Sequence, residues 1–261
     1  MKMTGNTILI TGGGSGIGLA LAEEFIRLDN RVIVAARSPE KLKVAGNKGL
    51  KTIKADLSQA ESIETLSRKV IQEFPETNVV IHNAAICRFE DLVQGGSATV
   101  QEETIATNVL GPMRLNDAVL PHLLKQRPAT IIIVTSGLGF VPSAFYPTYS
   151  ATKAALHSYS QSLRFQLKDT SISVIEIVPP YVQTKLGGAF QATDPNAMPL
   201  SEFISEVMQI LKDEPQVEEV LAKRTFPHRF AADGGRDRYD AFFKQYNERL
   251  LNDLGRRRGL R

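Results

Sequence analysis

Short runs rich in β-branched residues alternate with longer stretches of helical periodicity along the whole chain. This order leaves few folds open. Strands separated by helices run parallel, and a parallel sheet needs helices on both faces to cover its apolar strands. The strands are read as Thr7 to Ile10, Arg31 to Ala35, Leu50 to Lys54, Asn78 to His82, Thr130 to Thr135 and Ser171 to Val178. Leu19, Leu21, Ala22, Phe25, Ile26 and Leu28 recur at helical spacing, as do Ile63, Leu66, Val70, Ile71 and Phe74. Two long helices are expected from about Val100 to Lys125, kinked or shortened by Pro112 and Pro121, and from about Thr148 to Lys168. Further helices are expected near Ser201 to Lys212 and Asp237 to Leu254. No repeat or low-complexity linker divides the chain, so the expectation is an α/β fold in one domain over residues 1–261, a doubly wound parallel sheet flanked by helices on both faces.

Composition removes several classes of function. With 43% apolar and 23% charged residues the chain is an ordinary packed protein, and its formal net charge of +3 is too small and scattered for a nucleic-acid footprint. Cys87 is the lone cysteine, which excludes an internal disulfide and a thiolate metal cage, and the four histidines show no H-x-x-x-H spacing, so no metal site is expected. A reducing, cytoplasmic setting follows as the expectation. The longest clean apolar run, Ile131 to Val134, is far short of the roughly 20 residues of a membrane span. Lys2 and the run Ile8 to Ile10 resemble the start of a signal peptide, but glycines and then Glu23 and Glu24 interrupt it, and no export is expected. The tail Gly255 to Arg261, with four arginines, is expected to be solvated and frayed.

Directly after the first strand stands Thr11-Gly12-Gly13-Gly14-Ser15-Gly16-Ile17-Gly18, where a helix begins. A glycine cluster at a strand-to-helix turn has a physical purpose. Missing side chains at Gly12 and Gly16 let phosphate oxygens reach backbone N–H groups, the helix start favours negative charge, and Gly18 permits close packing of helix on strand. The domain is therefore expected to be Rossmann-type. At the end of the second strand a carboxylate would bond an adenosine ribose, whereas a cation would pair a 2′-phosphate. The sequence there is Ala35-Ala36-Arg37-Ser38, without an acid, so Arg37, with Ser38 as a second donor, favours NADP(H) over NAD(H).

The spacing Gly12-x-x-x-Gly16-x-Gly18 resembles that of the short-chain dehydrogenase/reductase family, and the resemblance covers roughly Thr7 to Thr184. It implies that Asn83-Ala84 after the fourth strand supports sheet and cofactor. Here His82-Asn83-Ala84-Ala85 stands where Asn-Asn-Ala-Gly is usual. Asp56-Leu57 after the third strand is similar to the family's adenine-contacting pair, although an Asp before a helix is also an ordinary N-cap. Pro179-Pro180-Tyr181-Val182-Gln183-Thr184 resembles the segment bordering the nicotinamide carboxamide, so Pro179, Val182 and Thr184 are expected there, with Pro180 replacing a flexible glycine. Beyond it, Asp194-Pro195-Asn196-Ala197-Met198-Pro199-Leu200 and the following helix are similar to oxidoreductases of the DltE type. The stretch from Gly187 to Pro199 reads as a mobile loop, and a substrate lid is expected at about Leu186 to Glu202.

Tyr149 and Lys153, four residues apart in an expected helix, project from one face. A free phenol has a pKa of about 10, and an ammonium at roughly 4 Å favours the phenolate by about 4 kcal/mol, or about three pKa units, with burial opposing. An acidified Tyr149 is thus expected. Ser136 closes the fifth strand, at the carboxyl edge where open α/β sheets bind ligands. The family resemblance implies that Ser136 holds the substrate oxygen and Tyr149 transfers its proton. It likewise gives Lys153 the nicotinamide ribose and the tuning of Tyr149, and Asn108 a water relay behind Lys153. Ser143 and Tyr146 compete for roles, although Pro147 disfavours a helical Tyr146. Asn108 could instead bond backbone in a bent helix.

The expected function is oxidoreduction of a small, moderately apolar carbonyl or alcohol with a nicotinamide cofactor. Alternatives are a dinucleotide-binding regulator or scaffold, and epimerisation or dehydration on the same fold. A homodimer or homotetramer is expected from the resemblance of the central helices to the family's pairing surface, and Cys87 reads as an inert buried thiol beside the cleft.

Overall fold

The computed structural model describes residues 1–258, with side chains through residue 253. Seven strands form one sheet: β1 (Thr7–Thr11), β2 (Arg31–Ala36), β3 (Lys51–Lys54), β4 (Thr77–His82), β5 (Ala129–Val134), β6 (Ile172–Val178) and β7 (Glu219–Leu221). Their order is β3-β2-β1-β4-β5-β6-β7 and every neighbouring pair is parallel. The chain winds outward from β1 to β3, crosses back to β4 and winds outward the other way. The connections after β1 and β4 therefore part in opposite directions and open a crevice at the carboxyl edge.

The helices are α1 (Gly16–Arg27), α2 (Pro39–Gly46), α3 (Ala60–Glu73), α4 (Ala98–Ile105), α5 (Gly111–Leu123), α6 (Pro147–Leu167), α7 (Leu200–Asp213), the single turn α8 (Phe226–Arg229) and α9 (Arg236–Arg258). Period-two alternation in the strands divides the core between two layers. Ile8, Ile10, Val79, Ile81 and Ile132 pack under Leu21 and Phe25 of α1 and Phe203 and Val207 of α7. Leu9, Val80, Ile131 and Ile133 face Leu66 of α3, Leu115 and Val119 of α5, and Leu156 and Leu163 of α6. All of these side chains are buried, which is the hydrophobic drive that sets strand register.

Strand boundaries differ from the expectation by a residue. β1 and β2 run one residue further, to Thr11 and Ala36, β3 starts at Lys51, β4 at Thr77 and β6 at Ile172. β5 is Ala129–Val134, so Thr135 lies just beyond it. The single helix expected from Val100 to Lys125 is α4 and α5 joined by a π-helical turn over Ala106–Leu110. Pro112 lacks the N–H that would bond the Asn108 carbonyl, and its ring crowds that oxygen, so the turn widens ahead of it. Pro121 lies inside α5 and does not end it. Nor is 187–199 without structure. Ala189–Thr193 forms a 3₁₀ helix, and Gln183 N and Met198 N donate to Met198 O and Tyr181 O, both at 2.8 Å. Helix α9 continues to Arg258, four residues into the tail expected to fray, and residues 259–261 lie outside the described residues.

Candidate active site

A cleft of about 1080 Å³ runs along the carboxyl edge of the sheet, from the turn after β1 to the loop after β5. At one end the glycine turn is held open by its neighbours. Gly12 has φ +69°, and a Cβ there would stand 2.7 Å from Ala84 Cα; Gly16 has φ +55° and faces the Thr184 side chain. These positive φ values are why glycine stands at both positions. A Cβ at Gly18 would collide with the Asn83 amide, which donates to Thr11 O at 3.0 Å and Gly12 O at 3.3 Å. Thr11 Oγ1 in turn accepts from Asn83 N and Ala84 N at 3.1 and 3.2 Å. β4 thus clamps the turn, and the first turn of α1 carries no acidic residue, so its N–H groups and dipole face the cleft uncompensated. Ser15 caps α1 without a side-chain cap bond. An anionic diphosphate fits this cradle.

Most of the expected residues meet in this cleft: Gly12, Ser15, Gly16, Ile17, Arg37, Ser38, Asp56, Leu57, Asn83, Ala84, Ser136, Tyr149, Lys153, Pro179, Val182 and Thr184 all line it. Gly18 and Asn108 do not; both lie behind the wall. Arg37 Nη1 stands 3.9 Å from Asp56 Oδ2, with both groups partly exposed. Asp56 is not the N-cap of α3, which is Gln59; its Oδ1 accepts from Ser58 N and Oγ at 2.9 and 2.8 Å. Ser38 is committed elsewhere, capping α2 through Lys41 N and donating to Glu40 at 2.7 Å. Lys41, unnamed in the sequence reading, lines the cleft beside Gly14 instead.

At the other end α6 presents Tyr149 and Lys153. Tyr146 precedes the helix in a non-helical conformation, as Pro147 requires. The Ser136 hydroxyl hydrogen-bonds the Tyr149 phenol and also accepts from Leu138 N at 3.1 Å. Lys153 Nζ donates to Val134 O at 2.7 Å and lies 5.5 Å from the Tyr149 ring centroid. The acidified phenol is not found. Burial pushes Tyr149 well above the usual phenol range, with Cys87 adding to the shift and Ser136 opposing it. Desolvating a phenolate is the largest influence on this group, and Lys153 is not among those that offset it. Burial also brings Lys153 down to about 8, and pushes the Cys87 thiol up to about 12.

Asn108 sits in the π-helical turn, but its amide is fully engaged. Oδ1 accepts from Ile86 N at 2.9 Å, while Nδ2 donates to Ile86 O at 2.9 Å and Thr152 Oγ1 at 3.1 Å. It clamps the loop after β4 to α6: the helix is bent at Asn108, but the backbone that its amide bonds is that of Ile86, outside the helix. Beside it, buried Thr107 Oγ1 lines the cleft without a hydrogen-bond partner.

The wall facing Tyr149 is made of residues not expected from the sequence. His228, Tyr246, Arg249 and Leu250 line the cleft from α8 and α9. Asn247 pins α9 to the loop ahead of α6, accepting from Ala144 N at 2.7 Å and donating to Pro142 O at 3.2 Å. Its available signal was the aromatic spacing Tyr239, Phe242, Phe243, Tyr246, which is a helical stripe. Gln191 orders the segment over the cleft, donating to Val182 O at 2.7 Å and Thr184 Oγ1 at 3.2 Å and accepting from Gly187 N at 2.8 Å. No described helix is long and apolar enough to cross a membrane.

Known proteins share this architecture. A short chain dehydrogenase profile matches residues 6–195. A Bacillus subtilis (strain 168) protein, the uncharacterized oxidoreductase DltE, is 40% identical over 253 residues, covering 95% of this chain and 98% of that protein. A short-chain dehydrogenase from Sphingobium yanoikuyae in complex with NADPH superposes with a TM-score of 0.76 at 26% identity, over 90% of this chain and 95% of that one. An alcohol dehydrogenase from Thermococcus sibiricus complexed with 5-hydroxy-NADP gives 0.73 at 26% identity, over 82% and 95%. With its glycine turn, its parallel sheet and a profile match over most of its length, the chain belongs to the short-chain dehydrogenase/reductase family of oxidoreductases.

Proposed function

We propose that the protein is an NADP(H)-dependent oxidoreductase acting on the carbonyl or secondary alcohol of a small substrate, with Tyr149 as general acid/base. One observation carries this reading: the Ser136 hydroxyl, the Tyr149 phenol and the Lys153 amine converge in the same cleft that begins at the glycine turn. When bound, the nicotinamide supplies or accepts the hydride. The residues do the rest. Ser136 holds the substrate oxygen, and Tyr149, whose proton burial retains at neutral pH, donates it as charge develops on that oxygen. The Lys153 ammonium, fixed by Val134 O, stabilises the phenolate left behind. The α1 N-terminus and the glycine turn would hold the diphosphate, with the Thr184 side chain beside Gly16.

The preference for a 2′-phosphate rests on Arg37 at the end of β2, with Lys41 beside it in the cleft. The Sphingobium and Thermococcus neighbours hold NADPH and 5-hydroxy-NADP and other neighbours hold NAD or NADH, so the preference stands on Arg37 and Lys41. Fluorescence titration should give a dissociation constant for NADPH about tenfold or more below that for NADH; tighter NADH binding overturns the preference. Turnover is followed by NADPH absorbance over aldehydes, ketones and diketones. Tyr149→Phe should cost about 10²-fold or more in kcat, with Tyr146→Phe near normal. The opposite ranking reverses the assignment, and cofactor binding without turnover on any substrate makes the protein a regulator. Ile105, Leu110 and Phe165, exposed apolar residues on or beside α4 and α6, favour self-pairing through that layer.

A further inference from the structure

We infer that Glu176 is a positioning residue of the reacting centre, its buried carboxylate holding Lys153 as an ammonium while tying the end of β5 to α6. The inference rests on the function proposed above. β6 is an interior strand flanked by β5 and β7, and such a strand is normally apolar on both faces. Ile175 and Ile177 obey this, yet between them Glu176 is fully buried toward the layer that contains α6. A carboxylate there persists only with partners. Its Oε1 accepts from Thr135 Oγ1 at 2.6 Å and its Oε2 from His157 Nδ1 at 2.8 Å, a contact that requires a proton on Nδ1.

Both partners adjoin the reacting residues. Thr135 precedes Ser136 at the carboxyl edge, and His157 follows Lys153 by one helical turn, continuing the face of Tyr149 and Lys153. Lys153 bonds Val134 O and Glu176 bonds the hydroxyl of the next residue, Thr135, so amine and carboxylate are anchored to adjacent residues at the end of β5 without bonding each other. The groups that act on the amine are Tyr149 on α6, Cys87 from the loop after β4 and Glu176 from β6; Tyr246 of α9 acts on Tyr149, and His157 of α6, Glu219 of β7 and Arg229 of α8 stand around Glu176. Burial lowers Lys153 to about 8 against the upward pull of Cys87 and Glu176. Cys87, pushed up to about 12, is a neutral thiol at that pH, which leaves Glu176 as the acting anion. His157, Glu176 and Glu219 approach within 4.8 Å of one another, but Arg229 already occupies Glu219 at 2.7 and 3.2 Å, so the cluster balances charge without a metal ion.

The test reads Lys153 directly. Trace labelling of the full chain with acetic anhydride from pH 6 to 11, with mass spectrometry of the Lys153 peptide, gives the midpoint at which the amine becomes reactive. The wild-type midpoint is expected near 8, and Glu176→Gln should lower it by about one pH unit. His157→Gln and Thr135→Ser each keep a donor toward the carboxylate and should leave the midpoint in place. Glu176→Asp withdraws the charge by one methylene and should move it less, in the same direction; it carries the test should Glu176→Gln fail to fold. In assays with turnover, the alkaline limb of kcat should fall with the labelling midpoint. A folded Glu176→Gln or Glu176→Asp protein with an unchanged midpoint overturns the inference, whatever its activity. Absence of turnover in the wild type would sink the proposed reaction while leaving this measurement intact.

Discussion

The two ends of the cleft are built from different materials. The end beside β1 is made of backbone: two glycines at positive φ, the first N–H groups of α1, and the Thr11 and Asn83 bonds that hold them. The end facing Tyr149 is walled by side chains, His228, Tyr246 and Arg249, brought from about 80 to 100 residues beyond Tyr149 and held by Asn247. The family profile ends at residue 195, before the whole of this wall. A backbone cradle demands particular residues at fixed spacing, whereas a side-chain wall demands only a surface. The first lies within the residues the family profile matches, and the second lies beyond them.

The strongest attempt to break this contrast is Gly12→Ala. At φ +69°, with the new Cβ 2.7 Å from Ala84 Cα, either the turn or β4 must move. Stability should fall by about 1 kcal/mol or more, seen as a lower denaturation midpoint. The NADPH dissociation constant should rise about tenfold or more as N–H groups leave register. Tyr246→Ala is the counterpart. It should raise KM for the preferred carbonyl about tenfold, through lost aromatic contact, and change NADPH affinity by less than about twofold. If Tyr246→Ala weakened the cofactor as much as Gly12→Ala, the two ends would be one site and the contrast would fail.

The same difference explains what was legible in the sequence. The turn from Thr11 to Gly18, the Ser136, Tyr149 and Lys153 set and six of the seven strands could be read because each follows from local pattern, an αL position, an i,i+4 pair or a β-branched run. α2 escaped because eight residues bury only Leu42 and Ala45, too few to show a period, and β7 because three residues cannot show one. The π-helical turn depends on Pro112 crowding a carbonyl inside an otherwise regular helix, which periodicity does not register. The sign of the Tyr149 shift was misread for a related reason. Spacing fixed the Lys153 charge on the same helix face, but the burial that outweighs it comes from tertiary packing. Spacing does not single out Glu176, because its meaning lies in Thr135 and His157 across the sheet and helix.

The smallest expected effect sharpens the comparison through proton binding, since each end contains a histidine that resists charge. Burial holds His82, on β4 beside Asn83, and His228, in the wall, at about 4, and Arg249 lowers His228 further. His82 is 2% exposed and pairs through Nε2 with Asn116 Oδ1 at 2.7 Å, whereas His228 packs against Phe242 and Tyr246 rings and keeps some solvent contact. An unfolded histidine titrates near about 6.5. Between that pH and about 4 the unfolded chain takes up protons that the folded one refuses, so the stabilisation is complete above the upper value and is lost as pH falls through the window. Thermal melts from pH 7 to 5 should therefore show a falling midpoint. His82→Gln should remove more of that slope than His228→Gln, because a core site relaxes less around a charge than a cleft wall does. Arg249→Gln should flatten the His228 share alone, by letting that ring protonate sooner. Were His228→Gln to remove the larger share, the wall would be as rigid as the sheet, and selectivity would have to be sought in its shape rather than in its adaptability.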